Sequence, residues 1–301
     1  MAVHVLDGAD TLSEVVRGGA ITVGNFDGAH RGHARLLQTL TGSARPAVVV
    51  TFDPHPLALL RPEHAPELLT TPSDRAEYLH ALGADHVVVL RTNRELLQLS
   101  AEAFFRRILL EKLAPRAMVE GPNFRFGRDR TGDVSQLEQW CHEQGIAFRL
   151  VELQTLQGQE VSSSAIRRAL SEGRIAEANA ALGRPYRLRG IVGHGAQRGR
   201  ALGFPTANLH QPQTLVPAFG VYAARALGYP VAVHIGPNPT FGEGHAKIEA
   251  HLIGFSGDLY GQELALDFVA RLRDVRRFAS VDELRLQLQT DIETARREAN
   301  P

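Results

Sequence analysis

The sequence predicts two architectures in one chain: a doubly wound α/β half built on a parallel sheet, then a small antiparallel β-barrel ending in a helix. Three observations carry this. Continuous apolar runs in the first half, such as Ala47–Phe52 and His86–Leu90, alternate with helical patterns, as expected of parallel strands buried on both faces. Past about residue 183, short strands separated by glycine and proline take over, the spacing of an antiparallel barrel or sandwich. At 301 residues, two domains are the natural expectation. The boundary is placed near Gly183, giving segments 1–183 and 184–301.

Composition narrows the function classes. Formal net charge is zero, so there is no global electrostatic case for nucleic acid or an acidic membrane surface. A single cysteine, Cys141, fits a reducing compartment. Met1–Asp10 carries acids and no apolar core, and no apolar run approaches a membrane span, so a soluble cytoplasmic protein is expected. The only lysines are Lys112 and Lys247, and neither follows a glycine-rich loop. The Gly-x-x-x-x-Gly-Lys phosphate cradle is therefore absent. Phosphate chemistry here must rest on histidine, arginine, backbone N–H groups and metal.

The chain is organised around Gly24-Asn25-Phe26-Asp27-Gly28-Ala29-His30-Arg31-Gly32-His33. It follows the strand-like run Ala20–Val23 and opens a helical pattern with Leu36, Leu37 and Leu40. A helix N-terminus offers unpaired N–H groups and partial positive charge to a phosphate. His30 and His33 share a helix face at that spacing, and Gly32 leaves room for a ligand close to the backbone. Gly24, Phe26, Asp27 and Gly28 complete the turn.

Further strands end in polar segments. Ala47–Phe52 stops at Asp53-Pro54-His55-Pro56, either a proline-stiffened loop or part of the same ligand crevice at the carboxyl ends of the strands. Thr71-Pro72 starts a helix that closes at Gly83, and Ser100 caps another bearing Phe104, Phe105, Ile108 and Leu109. Ala117–Glu120 reads as a fourth strand running into Asn123-Phe124-Arg125-Phe126. Those rings either stack on a flat ligand or pin the loop to the core, and the arginines suit phosphate. A helix from about 133 to 144 and the strand Phe148–Val151 complete the sheet. Ser162, Ser163 and Ser164 open another helix with Arg167 one turn in, a set of caps or a second phosphate grip.

In the second half, Gly193–Gly203 is basic and glycine-rich and contains Arg198. It is either a flexible hairpin connection or a phosphate wrap. Pro205 follows, and Thr206 and Asn208 offer oxygen ligands suited to Mg2+. In Ala246–Leu252, Ile248, Ala250 and Leu252 alternate onto the core face, while Lys247, Glu249 and His251 face outward. Glu249 is a solvated carboxylate, or a general base if that face lines a cleft. Ser280-Val281-Asp282-Glu283 is a capping box for the terminal helix.

Taken in order, these motifs resemble the prokaryotic bifunctional riboflavin kinase/FMN adenylyltransferase family. Gly24–His33, Thr51–Pro56, Asn123–Gly127 and Ser162–Arg167 carry the likeness in the first half. Gly203–Asn208, Gly220-Val221-Tyr222, Asn238–Phe241, Glu249 and Gly257–Gly261 carry it in the second. The resemblance implies an N-terminal nucleotidyltransferase domain and a C-terminal riboflavin kinase barrel, with ATP as co-substrate, Mg2+ as cofactor, FMN as intermediate and FAD as product. It implies His30 and His33 at the ATP phosphates, helped by Gly24, Phe26, Asp27, Gly28, Ser162, Ser163, Ser164 and Arg167. It places Asp53, His55, Asn123, Phe124, Arg125 and Phe126 toward the flavin. In the kinase it makes Glu249 the base, Thr206 and Asn208 the metal ligands, and Gly193, Arg198, Gly203 and Pro205 the nucleotide loop. Partners are then riboflavin, FMN and ATP, with neither nucleic acid nor membrane. Ser164 departs from the family's frequent threonine, Arg91-Thr92-Asn93 from a commoner apolar segment, and the turn before Glu249 is short. The alternatives are one active domain beside a flavin- or nucleotide-binding module, a flavin-binding regulator without turnover, or an adenylyltransferase for another phosphorylated acceptor such as a pantetheine phosphate.

Overall fold

The computed structural model describes residues 2–7, 12–156, 158–194, 203–238 and 243–300, which form two compact units, Met1–Ser162 and Ser163–Pro301. The first unit is built on strands β1 (Ala2–Leu6), β2 (Ala20–Val23), β3 (Ala47–Asp53), β4 (His86–Arg91), β5 (Ala117–Glu120) and β6 (Ala147–Leu150). They lie in the order β1–β4–β3–β2–β5–β6, and every pair is parallel. Chain order runs outward from β2 through β3 and β4, then returns to β5 on its other side. The topological switch point therefore falls between β2 and β5, where open parallel sheets bind ligands.

Helices cover both faces, as the continuous apolar strands require. Leu37 and Leu40 of α1 (Arg31–Ser43) and Leu79 of α2 (Pro72–Ala81) pack with Val49, Val87 and Val119 on one face. On the other face lies helix α3, which runs as Ala101–Phe104 and continues with wider π-helical turns as Phe105–Leu113. It packs with α4 (Val134–Glu143) through Phe104, Ile108, Leu137 and Cys141. The N-caps Thr71, Ser100 and Asp133 accept backbone N–H groups at the helix starts. Strand β1 escaped the sequence reading. Val3 and Val5 leave one side half exposed, so it shows no buried-strand pattern and is held by its ladder to β4.

The second unit opens with α5 (Ser163–Ser171) and α6 (Ile175–Leu182). Strands β7 (Tyr186–Gly193), β8 (Ala207–His210), β9 (Gly220–Ala226), β10 (Tyr229–Asn238), β11 (Glu243–Leu252) and β12 (Glu263–Arg273) then close a barrel. Its order is β7–β8–β11–β10–β9–β12, antiparallel throughout. Leu188, Val233, Ile235, Ala250 and Leu266 are buried inside it. The compact division precedes α5 and α6, whereas the sequence boundary near 183 follows them. Asn179 of α6 supplies a physical reason, donating to Phe268 O (2.9 Å) and accepting the Tyr186 N–H (2.8 Å), so α6 is tied to the barrel. Gly183 still ends that helix in the left-handed conformation, φ 79°.

The C-terminal helix α7 (Val281–Glu298), capped by Ser280, buries Ala295 and Ala299 in a cluster with Ala223, Ala232 and Ala270. Arg273 of β12 binds Asp291 of α7 through Nε (3.0 Å) and a terminal nitrogen (2.7 Å). Asp291 is only 5% exposed. Removing one partner of a buried pair leaves the other uncompensated, at about 3–5 kcal/mol when both are fully buried. Because Arg273 keeps some solvent contact, Asp291→Ala should cost about 2–3 kcal/mol, read as a lower urea midpoint of the intact chain.

Candidate active sites

The turn after β2 is wound by residues in the left-handed region: Phe26 (φ 48°), Gly28 (φ 86°) and Ala29 (φ 39°). Only Gly28 adopts this freely, and a strained non-glycine residue costs about 1–3 kcal/mol. Burial of Phe26 and Ala29 (4% and 2% exposed) and a carboxylate clamp offset the cost. The Asp27 carboxylate accepts the N–H groups of Leu69 (2.9 Å) and Thr70 (3.0 Å) and the Thr70 hydroxyl (2.9 Å). Thr70 Oγ1 in turn accepts the Gly28 N–H at 3.2 Å. Arg75, 4% exposed, lies 3.9 Å from the carboxylate and donates to Thr51 Oγ1 and Phe52 O.

The clamp delivers His30 as the N-cap of α1, one position before the helix and not within its first turn as the spacing suggested. The two histidines still meet, their rings stacked at 3.6 Å and 17°. The His30 N–H donates to His33 Nδ1 (3.2 Å), which leaves Nε2 to carry the ring proton of neutral His33. Phe26 packs edge-on against His33 at 5.0 Å. A side chain at Gly32 would come within 3.0 Å of the His30 ring, and one at Gly24 within 3.2 Å of the Phe26 ring. Both glycines thus make room for rings of the turn itself. The buried Asp27 carboxylate, 2% exposed, is used by protein donors and braces the turn.

Two neighbouring strand ends join this turn. His55 caps a short helix (Pro56–Leu60), its Nδ1 accepting the Leu57 N–H, and its Nε2 lies 3.0 Å from the Asn25 side-chain amide. The end of β3, with Asp53 and His55, is therefore beside the turn, as the crevice reading expects. At the switch point, Glu120 of β5 accepts the Val23 N–H at 2.7 Å. The ladder between β2 and β5 stops at Ile21 and Met118, and this carboxyl group satisfies the next donor. Sequence reasoning counted Glu120 only as a strand residue; an acid closing an otherwise apolar strand was the available signal. It is 2% exposed, and burial pushes its pKa well above the ordinary 4.5, against the opposing Val23 hydrogen bond.

Beyond Glu120, Asn123 is exposed, whereas Phe126 is 5% exposed and packs on Phe104 and Trp140. Phe124 stacks on Phe126 at 5.4 Å. Phe126 is thus packed among core rings and pins the loop. Arg125 pairs with Asp133 at 3.2 Å across a hairpin whose strands are two residues each. Ser162 ends the first unit, while Ser163, Ser164 and Arg167 belong to the opening helix of the second.

In the barrel, a cleft of about 540 Å³ is lined by Pro205, Thr206, Asn208, Phe255, Asp258 and Tyr260, a volume in the range of small-molecule sites. Asn208 stands directly opposite Glu249 on the neighbouring strand. His251, two residues on, holds the Pro205 carbonyl at 2.7 Å, fixing the segment before β8 to β11. Glu249 therefore lies on the outer face as the alternation requires, next to Asn208 of the cleft wall, while Ala250 and Leu252 are the residues of its own strand that line the cleft. Strand β8 was not foreseen as a strand, because Ala-Asn-Leu-His is short and glycine and proline precede it. Gly193 faces His210, whose ring a side chain there would meet at 2.5 Å, and Gly203 has φ 89°. Arg198, Pro239, Thr240 and Phe241 lie outside the described residues.

A helix N-terminus at the switch point of a parallel sheet, followed in the same chain by a barrel with an Asn–Glu pair across neighbouring strands and a cleft at Asn208, is the arrangement of a two-unit protein suited to phosphorylated nucleotides. Comparison with known proteins narrows the class. The FAD synthetase family model matches residues 12–165 and the riboflavin kinase model residues 182–299. The bifunctional riboflavin kinase/FMN adenylyltransferase of Escherichia coli K12 is 37% identical, over 97% of this chain and 96% of its own. The Pseudomonas fluorescens protein of the same name is also 37% identical, over 99% and 98%. A solved structure from Streptococcus pneumoniae, described as a macrolide-efflux protein, superposes with a TM-score of 0.86 at 29% identity, covering 98% of this chain and 99% of its own. Among the described residues here, no helix is long and apolar enough to cross a membrane. The chain belongs to the bifunctional riboflavin kinase/FMN adenylyltransferase family.

Glu120 generates a stability prediction. Its raised folded pKa means the native state keeps a proton that the unfolded chain loses, so stability falls as pH rises from about 4.5 toward that raised value. Glu120→Gln keeps an acceptor for Val23 and removes the titration. Urea unfolding at pH 4 and pH 7 should show the variant equal to wild type at the lower pH and more stable at the higher.

Proposed function

We propose that this chain converts riboflavin to FMN and FMN to FAD, each step drawing on one ATP, with both substrates small molecules in the cytoplasm. The observation that carries the reading is the presence, in one chain of this family, of both a clamped histidine turn and an Asn–Glu pair across neighbouring barrel strands. Segment 1–183 is assigned to adenylyl transfer and 184–301 to phosphorylation.

In adenylyl transfer, an FMN phosphate oxygen forms a bond to the α-phosphorus of ATP while the bond to pyrophosphate breaks. The stacked His30 and His33 and the first turn of α1 would neutralise charge gathering on the phosphates, an effect strongest when donors are held in advance. Gly24, Phe26 and Gly28 shape that turn. Ser162, Ser163, Ser164 and Arg167 are assigned to the departing pyrophosphate. Asp53, His55, Asn123, Phe124 and Arg125 are assigned to the flavin side, where Asn123 and Arg125 are exposed.

In phosphorylation, the ribityl 5′-oxygen bonds to the γ-phosphorus as the bond to ADP breaks, and Glu249 takes the hydroxyl proton. Thr206 and Asn208 present neutral oxygens at the cleft wall, which suits Mg2+ held by a few protein oxygens together with substrate phosphates. Bound there, Mg2+ would neutralise nucleotide phosphate charge. Gly193, Arg198, Gly203 and Pro205 are assigned to the nucleotide loop.

Two substitutions test the division of labour. Glu249→Ala should lower FMN formation by about 10²–10⁴-fold, the usual contribution of a general base, while FAD formation from supplied FMN persists. His33→Ala should let FMN accumulate and block FAD. Chromatography of riboflavin, FMN and FAD over time reads both, and joint loss of the two activities in a folded variant would contradict separate sites.

A further inference from the structure

A titratable side chain of the barrel, His234, faces the carboxylate assigned as the base. Strand β11 pairs with β8 on one side and β10 on the other, which sets Glu249 directly opposite both Asn208 and His234. Directly opposed residues of antiparallel strands share a face, with Cβ atoms about 4.5–5.5 Å apart. Asn208, Glu249 and His234 therefore form one polar row on the outer barrel face. Their strand neighbours Val233, Ile235, Ile248 and Ala250 are buried. Past His234 the row continues through Val221 to Arg273, whose guanidinium is bound by Asp291 of α7.

His234 makes no hydrogen bond to any described residue, and its Nδ1 is enclosed. The residue as a whole keeps partial exposure. An enclosed polar atom without a partner is destabilising and calls for an explanation. Burial and then the Arg273 charge push the His234 pKa down to about 4, against the pull of Asp291, so the ring is neutral near pH 7. A neutral imidazole offers one donor and one acceptor. A sugar-alcohol hydroxyl likewise donates and accepts, so it can pair with Nε2 in either tautomer. The adjacent position in the row holds the carboxylate assigned to the terminal hydroxyl of such a chain.

We propose that His234 determines specificity in the kinase reaction by hydrogen-bonding a hydroxyl of the ribityl chain whose terminal 5′-hydroxyl is served by Glu249. The inference rests on the kinase reading of the barrel. It makes His234 a reader of the polyol chain and not of the flavin ring, through Nε2, the ring nitrogen that the protein does not enclose.

Fluorescence titration of the intact chain with riboflavin and with lumiflavin, which has the same ring system and no ribityl chain, separates the two parts of the ligand. His234→Phe keeps an aromatic ring of similar size and removes both nitrogens. It should weaken riboflavin about tenfold, the effect of one hydrogen bond, and leave lumiflavin affinity unaltered. His234→Asn, which restores a donor and an acceptor, should recover most of the loss. Equal weakening of both flavins, or undiminished riboflavin affinity in His234→Phe, would overturn the assignment. Wild-type protein that neither binds riboflavin nor forms FMN would remove the kinase reading itself. Wild-type turnover with unchanged discrimination in the variants would remove only the role of His234.

Discussion

The first unit depends on one buried carboxylate. Asp27 draws together two backbone N–H groups and a hydroxyl from the segment before α2, which bends the chain after β2 through positions that non-glycine residues resist. Without that clamp, Phe26 and Ala29 would relax toward ordinary backbone regions, and His30 would no longer be delivered as the cap of α1. Strain at the turn is the cost of holding two imidazoles in a stack before any ligand arrives. Groups fixed in advance need no reorganisation when charge develops, which is why such rigidity suits transfer of a phosphoryl or nucleotidyl group.

Glu120 does a related task by different means. Asp27 meets several donors and a nearby guanidinium, whereas Glu120 meets the Val23 N–H within an apolar setting, and burial raises its pKa. A protonated acid is well suited to the gap between β2 and β5, where the ladder ends and a backbone donor would otherwise be unpaired. The switch point is thus closed by a side chain lying one residue before the Gly121–Asn123 segment. Turn and loop share a mechanical connection through it.

The barrel solves its positioning problem with register. No helix N-terminus is needed to bring Asn208, Glu249 and His234 into line, because antiparallel pairing across β8, β11 and β10 sets them side by side. The inner face is packed with aliphatic side chains, so a slip of one residue would turn Ile248 and Ala250 outward and Glu249 inward. The hydrophobic core of the barrel therefore enforces the geometry of its polar row. The Arg273–Asp291 pair fastens α7 over the far end of the same face.

By itself the sequence determined the alternation of buried strands and helices in the first half, the change of texture near residue 183, the turn at Gly24–His33 and the outward direction of Glu249. Each depends on local pattern: apolar period, capping residues, and glycine or proline punctuation. Residues whose meaning comes from distant partners were beyond it. Nothing local shows that Leu69 and Thr70 bind the Asp27 carboxylate, or that Phe104 and Trp140 enclose the Phe126 ring. Glu120 gave only the weak signal of an acid closing an apolar strand and His234 gave none, since one acts on a strand 97 residues away and the other is defined by its neighbour across a ladder. Strands β1 and β8 needed their partners too, because a short or half-exposed strand is held by pairing more than by its own pattern. Local periodicity fixes what an element is; only packing decides which side chains remain for chemistry once the others have been used to hold the fold.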